Sequence, residues 1–150
     1  MKRCLIYILI MIAVLSVPLE RTDVADLHPV QTVALYQTST GYRIETDTKD
    51  AGEGETVSQA FNDLKRTTPG VIYLDTADYF VVSKSAEKAI DEMRQFLKKG
   101  VQICYFAGQV DLLAVSEFLS VQDRIPYLRD WKPGDPLPVL DCSTERLKFL

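Results

Sequence analysis

Apolar and polar positions change period several times along this chain, and each change marks an element. Leu5 to Val17 is an almost unbroken apolar run, preceded by Lys2 and Arg3 and followed by Pro18, Glu20 and Arg21. Residues 20–30 are mostly polar, end at His28-Pro29 and read as a linker. Gln31 to Gln37 and Tyr42 to Thr46 read as two strands joined by a turn at Thr38 to Gly41, the second with period-two alternation. Asp47 to Glu55 is charged, contains glycine and has no period, so it reads as a solvated loop.

Val57, Ala60, Phe61 and Leu64 then recur at the spacing of one helical face. Thr56 and Gln59 supply a capping box at the start of that helix, and Pro69-Gly70 ends it. Val71 to Leu74 and Tyr79 to Val82 are short β-forming runs. The intervening Asp75-Thr76-Ala77-Asp78 fits either a turn or the polar middle of one long bent strand. Ser85 to Lys99 reads as a second helix with Ala86, Ala89, Ile90, Met93 and Leu97 inward, stopped by Gly100. Val101 to Ala107 is nearly all apolar, as expected of a central strand buried on both faces. Asp111 to Leu119 reads as a third helix. Ser120 to Leu150 carries Pro126, Pro133, Pro136 and Pro138 and reads as loop and short extended pieces, with a helical turn at Thr144 to Leu150.

This order predicts a single α+β domain, a mixed β-sheet with helices packed on one face. The expected divisions are a signal peptide or signal anchor at 1–19, the linker, the domain at 31–125, and a proline-rich tail at 126–150 packing on it. The apolar run of 13 residues fits secretory cores of roughly 7–15 residues better than spanning helices of about 20. Val14-Leu15-Ser16 is a poor cleavage site, which leaves a retained anchor and a cleaved, freely secreted form both open.

Charge narrows the partners. Setting Lys2 and Arg3 aside from 17 basic side chains leaves 15 against 21 acidic, a net charge of −6. That balance excludes nucleic acid as an expected partner and disfavours an anionic bilayer surface. Cys104 and Cys142 could pair in an oxidising compartment, though Cys104 reads better as a small core residue in an apolar strand.

Sequences with catalytic overtones are incomplete. Ser85-Ala86-Glu87-Lys88 has Ser-x-x-Lys spacing without the supporting motifs of serine acyl-transferases. Asp75-Thr76-Ala77-Asp78 is like the aspartic-protease segment but lacks the glycine after Thr76, so a small exported hydrolase using Asp75 is the alternative reading. Lys49 occupies a position where a calcium loop needs an oxygen ligand. His28 is the only histidine, which leaves no His-based zinc site and no Ser-His or Cys-His pair. Gly52 and Gly54 form no phosphate-binding fingerprint. The expectation is a protein without cofactor, metal or catalytic residue.

One arrangement of segments is more specific. An acidic stretch at Arg21 to Leu27 precedes an apolar strand at Val33 to Tyr36, then Gly41-Tyr42-Arg43-Ile44 and a polar loop at Thr46 to Glu55. Gly54-Glu55-Thr56-Val57 starts a helix, Pro69-Gly70-Val71-Ile72-Tyr73-Leu74 makes a Pro-to-aromatic-strand step, and Glu87 to Gly108 runs from helix to apolar strand. A short helix at Val115 to Leu119 and an Ile125-Pro126 step follow. In this order the stretch from about Arg21 to Trp131 resembles the N-terminal domain of the C subunits of spore germinant receptors, the Ger(x)C family. Members of that family carry a lipid-bearing cysteine just after the apolar segment and continue into further domains. Here no cysteine lies between Leu5 and Val101, and the chain given ends at Leu150. The resemblance implies a non-catalytic component of a membrane-associated receptor complex in spore germination, with membrane-protein subunits as partners. It implies placement on the extracytoplasmic face of the cell membrane or the spore inner membrane, with the membrane engaged through Leu5 to Val17.

The partner is expected to dock at one of two surfaces. One is the edge of the Tyr42 to Thr46 strand, through Tyr42 and Ile44; the other is the tail around Tyr127, Trp131 and Leu137. On that reading, deleting Pro133 to Leu150 abolishes partner binding and leaves a folded domain.

Overall fold

The structure, a computed structural model, describes residues 27–143 and 147–150. The expected signal or anchor segment, most of the linker, and Thr144 to Arg146 lie outside the described residues. The strands are β1 (Leu27–Pro29), β2 (Thr32–Gln37), β3 (Tyr42–Thr46), β4 (Ala51–Gly54), β5 (Val71–Tyr73), β6 (Tyr79–Ser83), β7 (Gln102–Ala107), β8 (Val139–Asp141) and β9 (Lys148–Phe149). The helices are α1 (Val57–Thr67), α2 (Ile90–Met93) and α3 (Leu112–Ser120). Seven strands form one mixed sheet in the order β4-β3-β2-β6-β7-β8-β9, and β1 and β5 form a separate parallel ribbon. The protein is a single α+β domain.

The sheet grows outward from its most apolar strands. β2, β6, β7 and β8 run parallel, with Val33 opposite Phe80, Phe80 opposite Ile103, and Phe106 opposite Leu140. β3 and β4 add an antiparallel hairpin at one edge, and β9 turns back antiparallel at the other. Alternate residues of β2, β6 and β7 enter different cores. Val33, Leu35, Phe80, Val82, Ile103 and Tyr105 pack with α1 and with the helical segment 84–96. Ala34, Val81, Cys104 and Phe106 pack with Leu112, Val115 and Leu119 of α3. One-face packing therefore describes α1 and the 84–96 segment, while α3 covers the opposite face. Helical periodicity reports which side of a helix is apolar, not which face of a sheet receives it; the unbroken apolar runs of β6 and β7 are the trace of double coverage.

The structure differs locally from the sequence expectations at several points. The 47–55 loop contains β4. Gly52 and Gly54 point to α1, and a Cβ on Gly52 would sit 2.2 Å from the Leu64 amide nitrogen and 2.3 Å from the Ala60 carbonyl oxygen. The glycines that erase the strand pattern are what lets the helix rest on the strand backbone. On the outer edge of β4, the Glu53 N–H donates to an Asp63 carboxylate oxygen at 3.1 Å, and the Thr67 hydroxyl donates to the Ala51 carbonyl at 3.1 Å. The end of the linker is β1, paired in register with β5, and Val30 after it is fully buried.

The tail is a structural part of the domain and not an addition to it. Trp131 and Leu137 enter the α1-side core, Leu140 enters the α3-side core, and β8 and β9 extend the sheet. Lys148 and Phe149 are strand where a helical turn was expected. Ser85 to Lys99 is divided into a 3-10 stretch (84–89), the four-residue α2 and a second 3-10 stretch (94–96). Ala86, Ala89, Ile90, Met93 and Leu97 are nevertheless all buried. The Thr56 cap forms, with the Gln59 N–H donating to the Thr56 hydroxyl at 3.2 Å, while the Gln59 side chain accepts from the Glu55 N–H at 3.0 Å, one residue before the cap.

Candidate functional site

The five expected docking residues separate by exposure. Ile44 is fully buried, Trp131 and Leu137 are buried, and Tyr42 is half-buried against the α1-side core. Only Tyr127, 40 % exposed, presents its ring to solvent. Ile44 belongs to the core because β3 is not an edge strand; it pairs with β2 on one side and β4 on the other. Trp131 is held by its own surroundings. Its indole N–H donates to the Asp135 carbonyl at 3.2 Å, and the Arg94 guanidinium lies 5.6 Å from the ring and donates to the Trp131 carbonyl.

A polar concavity lies where the hairpin is left open on the α3 side. A cleft of about 370 Å³ is lined by Arg43, Glu45, Asp47, Lys49 and Asp50 of the hairpin and by the start of α3 at Asp111 to Leu113. Strand alternation sends Arg43 and Glu45 to this side, and Ile44 to the other. Arg43 joins two strands: it donates to Glu45 at 2.7 Å and to Glu53 at 2.8 Å. Behind them Tyr36 stacks edge-on against Phe106 at 5.0 Å; burial first, then the Glu45 carboxylate, holds its hydroxyl well above the ordinary tyrosine pKa. At the far end Asp47 accepts the Gln31 N–H on both carboxylate oxygens at 3.2 Å, and burial raises its pKa above the usual carboxylate value despite those bonds. Asp111 caps α3 by accepting from the Leu113 N–H at 3.1 Å, and the Leu113 side chain is 57 % exposed at the rim. Four carboxylates against two cations make the cleft acidic. None of these groups forms a nucleophile and base in hydrogen-bond reach, the geometry that acyl or glycosyl transfer requires. What the cleft offers chemically is charge complementarity.

The remaining motifs lie away from the cleft. Asp75 sits exposed on a 3-10 turn over Leu74 to Thr76, and Asp78 is paired with Lys98 at 2.6 Å. Ser85 is exposed and bonds Ser83 at 3.1 Å. Cys104 is buried and Cys142 half-buried, both as free thiols whose pKa burial pushes up, to about 12 and about 11. The β7–β8 register separates them by four positions along neighbouring strands, roughly 13 Å at ~3.3 Å per residue, well past the ~7 Å that a disulfide spans. Among the described residues no group of three or more His, Cys, Asp or Glu side chains is placed to hold a metal ion. Among the described residues, too, no helix is long and apolar enough to cross a membrane.

The sequence signal for the cleft was present in the alternation Arg43-Ile44-Glu45, but its far wall comes from α3, about seventy residues away in the chain and without any local marker. Comparison of the chain with protein-family models, curated proteins and solved structures gives no match.

Proposed function

We propose that this protein is a non-catalytic interaction domain, tethered to a membrane through Leu5 to Val17, that docks an extracytoplasmic segment of a membrane-protein partner. The observation that carries the reading is the open acidic cleft between the hairpin and α3, with Leu113 exposed at its rim. The occupant it fits is a basic segment with an apolar residue beside its cations: Glu45, Asp47, Asp50 and Asp111 attract the charge, and Leu112 and Leu113 supply an apolar wall. The resemblance to the first domain of germinant-receptor C subunits supplies the setting, a receptor complex of spore germination, and the missing lipid-bearing cysteine assigns the tether to the N-terminal apolar run instead. The domain contributes recognition, and the partner contributes whatever ligand or transport chemistry the complex performs.

The test places a photo-crosslinking amino acid at position 113 of the full chain in membranes of a spore-forming host. A cross-link to a membrane protein that disappears in Asp47→Lys/Asp50→Lys supports the reading, especially if the same variant slows germination. A cross-link that is absent, or indifferent to the charge reversal, rejects the cleft as the docking site.

A further inference from the structure

The loops at the N-terminal ends of the parallel strands form one continuous end of the molecule. The β1–β5 ribbon feeds β2 through Val30 and β6 through the 74–76 turn, with the Thr76 hydroxyl donating to the Val30 carbonyl at 2.9 Å. Lys98 reaches the same turn, donating to Asp78 at 2.6 Å and to the Thr76 carbonyl at 3.3 Å. Gly100 and Val101 follow, and the Leu128 N–H donates to the Val101 carbonyl at 2.8 Å, which brings Tyr127 opposite Gln102.

Three large apolar side chains are exposed along this end. Val71 (43 %) and Tyr73 (42 %) flank buried Ile72 on β5, and Tyr127 lies beyond the start of β7. Beside β5 a shallow cavity of about 240 Å³ is lined by Phe61, Phe96 and Lys65. Lys65 holds its ammonium 4.5 Å from the Phe61 ring, an apolar stem with a charged tip. Lys99 is exposed and in no ion pair among the described residues; Asp75 lines the same cavity as Lys65, Asp78 is paired with Lys98, and Asp47, which accepts the Gln31 N–H, and Asp50 lie at this same end of the sheet. Aromatic rings, aliphatic side chains and snorkelling lysines on one surface are the chemistry of the bilayer interface.

The position of the remaining chain selects that occupant. Residues 1–26 join the domain at Leu27, and Leu27 lies in register beside Val71. The nine residues between Val17 and Leu27 span at most about 30 Å fully extended, so a tether at Leu5 to Val17 holds the ribbon end within that distance of the lipid. We propose that the β1–β5 ribbon is the membrane-facing surface of the domain, with Val71 and Tyr73 entering the headgroup layer and Lys65 and Lys99 meeting lipid phosphates. This rests on the tether assigned above. The ribbon lies on the α1 side of the sheet and the acidic cleft on the α3 side.

The test uses the full chain reconstituted in vesicles of phosphatidylcholine with phosphatidylglycerol and brominated lipid. Tyr73→Trp is compared with Thr40→Trp in the β2–β3 turn at the opposite end, each against the unsubstituted chain with its buried Trp131; Val71→Trp repeats the measurement should Tyr73→Trp misfold. Selective quenching at 73 or 71 is expected, with none at 40. Adding Lys65→Gln and Lys99→Gln should lower the docked-to-undocked ratio roughly fivefold for each cation removed. Chains that float with vesicles but show equal quenching at 73 and 40 overturn the proposal alone; chains that do not float overturn the tether and the proposal together.

Discussion

The β3–β4 hairpin meets its surroundings in opposite ways on its two faces. Toward α1, Gly52 and Gly54 leave β4 without side chains between strand and helix, and its backbone packs directly on the helix. Toward the cleft, the same strands raise Arg43, Glu45 and Glu53 into a charged network that no helix covers. One face spends its residues on closeness and stability, the other on accessible charge. A strand pair can serve both purposes because alternation makes its faces independent.

The comparison can be broken on the closed side first. Deleting Pro133 to Leu150 removes Leu137 and Leu140 from the two cores and β8 and β9 from the sheet, so the chain should lose cooperative unfolding altogether in a urea titration monitored by circular dichroism. Gly52→Ala comes next. Its Cβ meets helix backbone that has no rotamer to adjust, and the cost should be about 3 kcal/mol, read as a lower urea midpoint with the slope conserved. Asp63 follows, with a pH signature. The hydrogen bond from the Glu53 N–H, reinforced by Arg66, holds its carboxyl below the usual carboxylate range. Its contribution is complete above the unfolded value of about 3.9 and is lost as pH falls through the lower folded value. Asp63→Asn should therefore flatten the stability profile in that acidic window and leave its shape near neutrality unchanged. On the open side Arg43→Ala breaks two exposed ion pairs and should cost no more than about 1 kcal/mol, because solvent and salt screen them. Asp75→Asn should change neither stability nor any proteolytic activity of the purified chain; loss of an activity in that variant alone would revive the hydrolase reading.

The legible parts of this fold are those in which side chains repeat. Val57, Ala60, Phe61 and Leu64 place α1, Thr56 and Gln59 cap it, and the apolar run from Ile103 to Phe106 marks a strand covered on both faces. β4 is hidden because two of its four residues have no side chain, and β8 and β9 because they are short and follow Pro136 and Pro138. The site was harder to read for a different reason. Tyr42, Ile44, Trp131 and Leu137 are the residues that a docking surface favours, and a core favours the same ones. Only tertiary pairing decides between the two, and it leaves Tyr127 outside while adding the α3 wall of the cleft.

The two hydrogen bonds that α1 sends to the outer edge of β4 have a consequence beyond the chain itself. With the Glu53 N–H and the Ala51 carbonyl already engaged, a neighbouring molecule finds no free ladder to extend on that side. At the opposite edge, among the described residues, lies the two-residue β9. Edge-to-edge recruitment is a first step toward fibres, and a helix laid along the rim closes the β4 edge of the sheet to it.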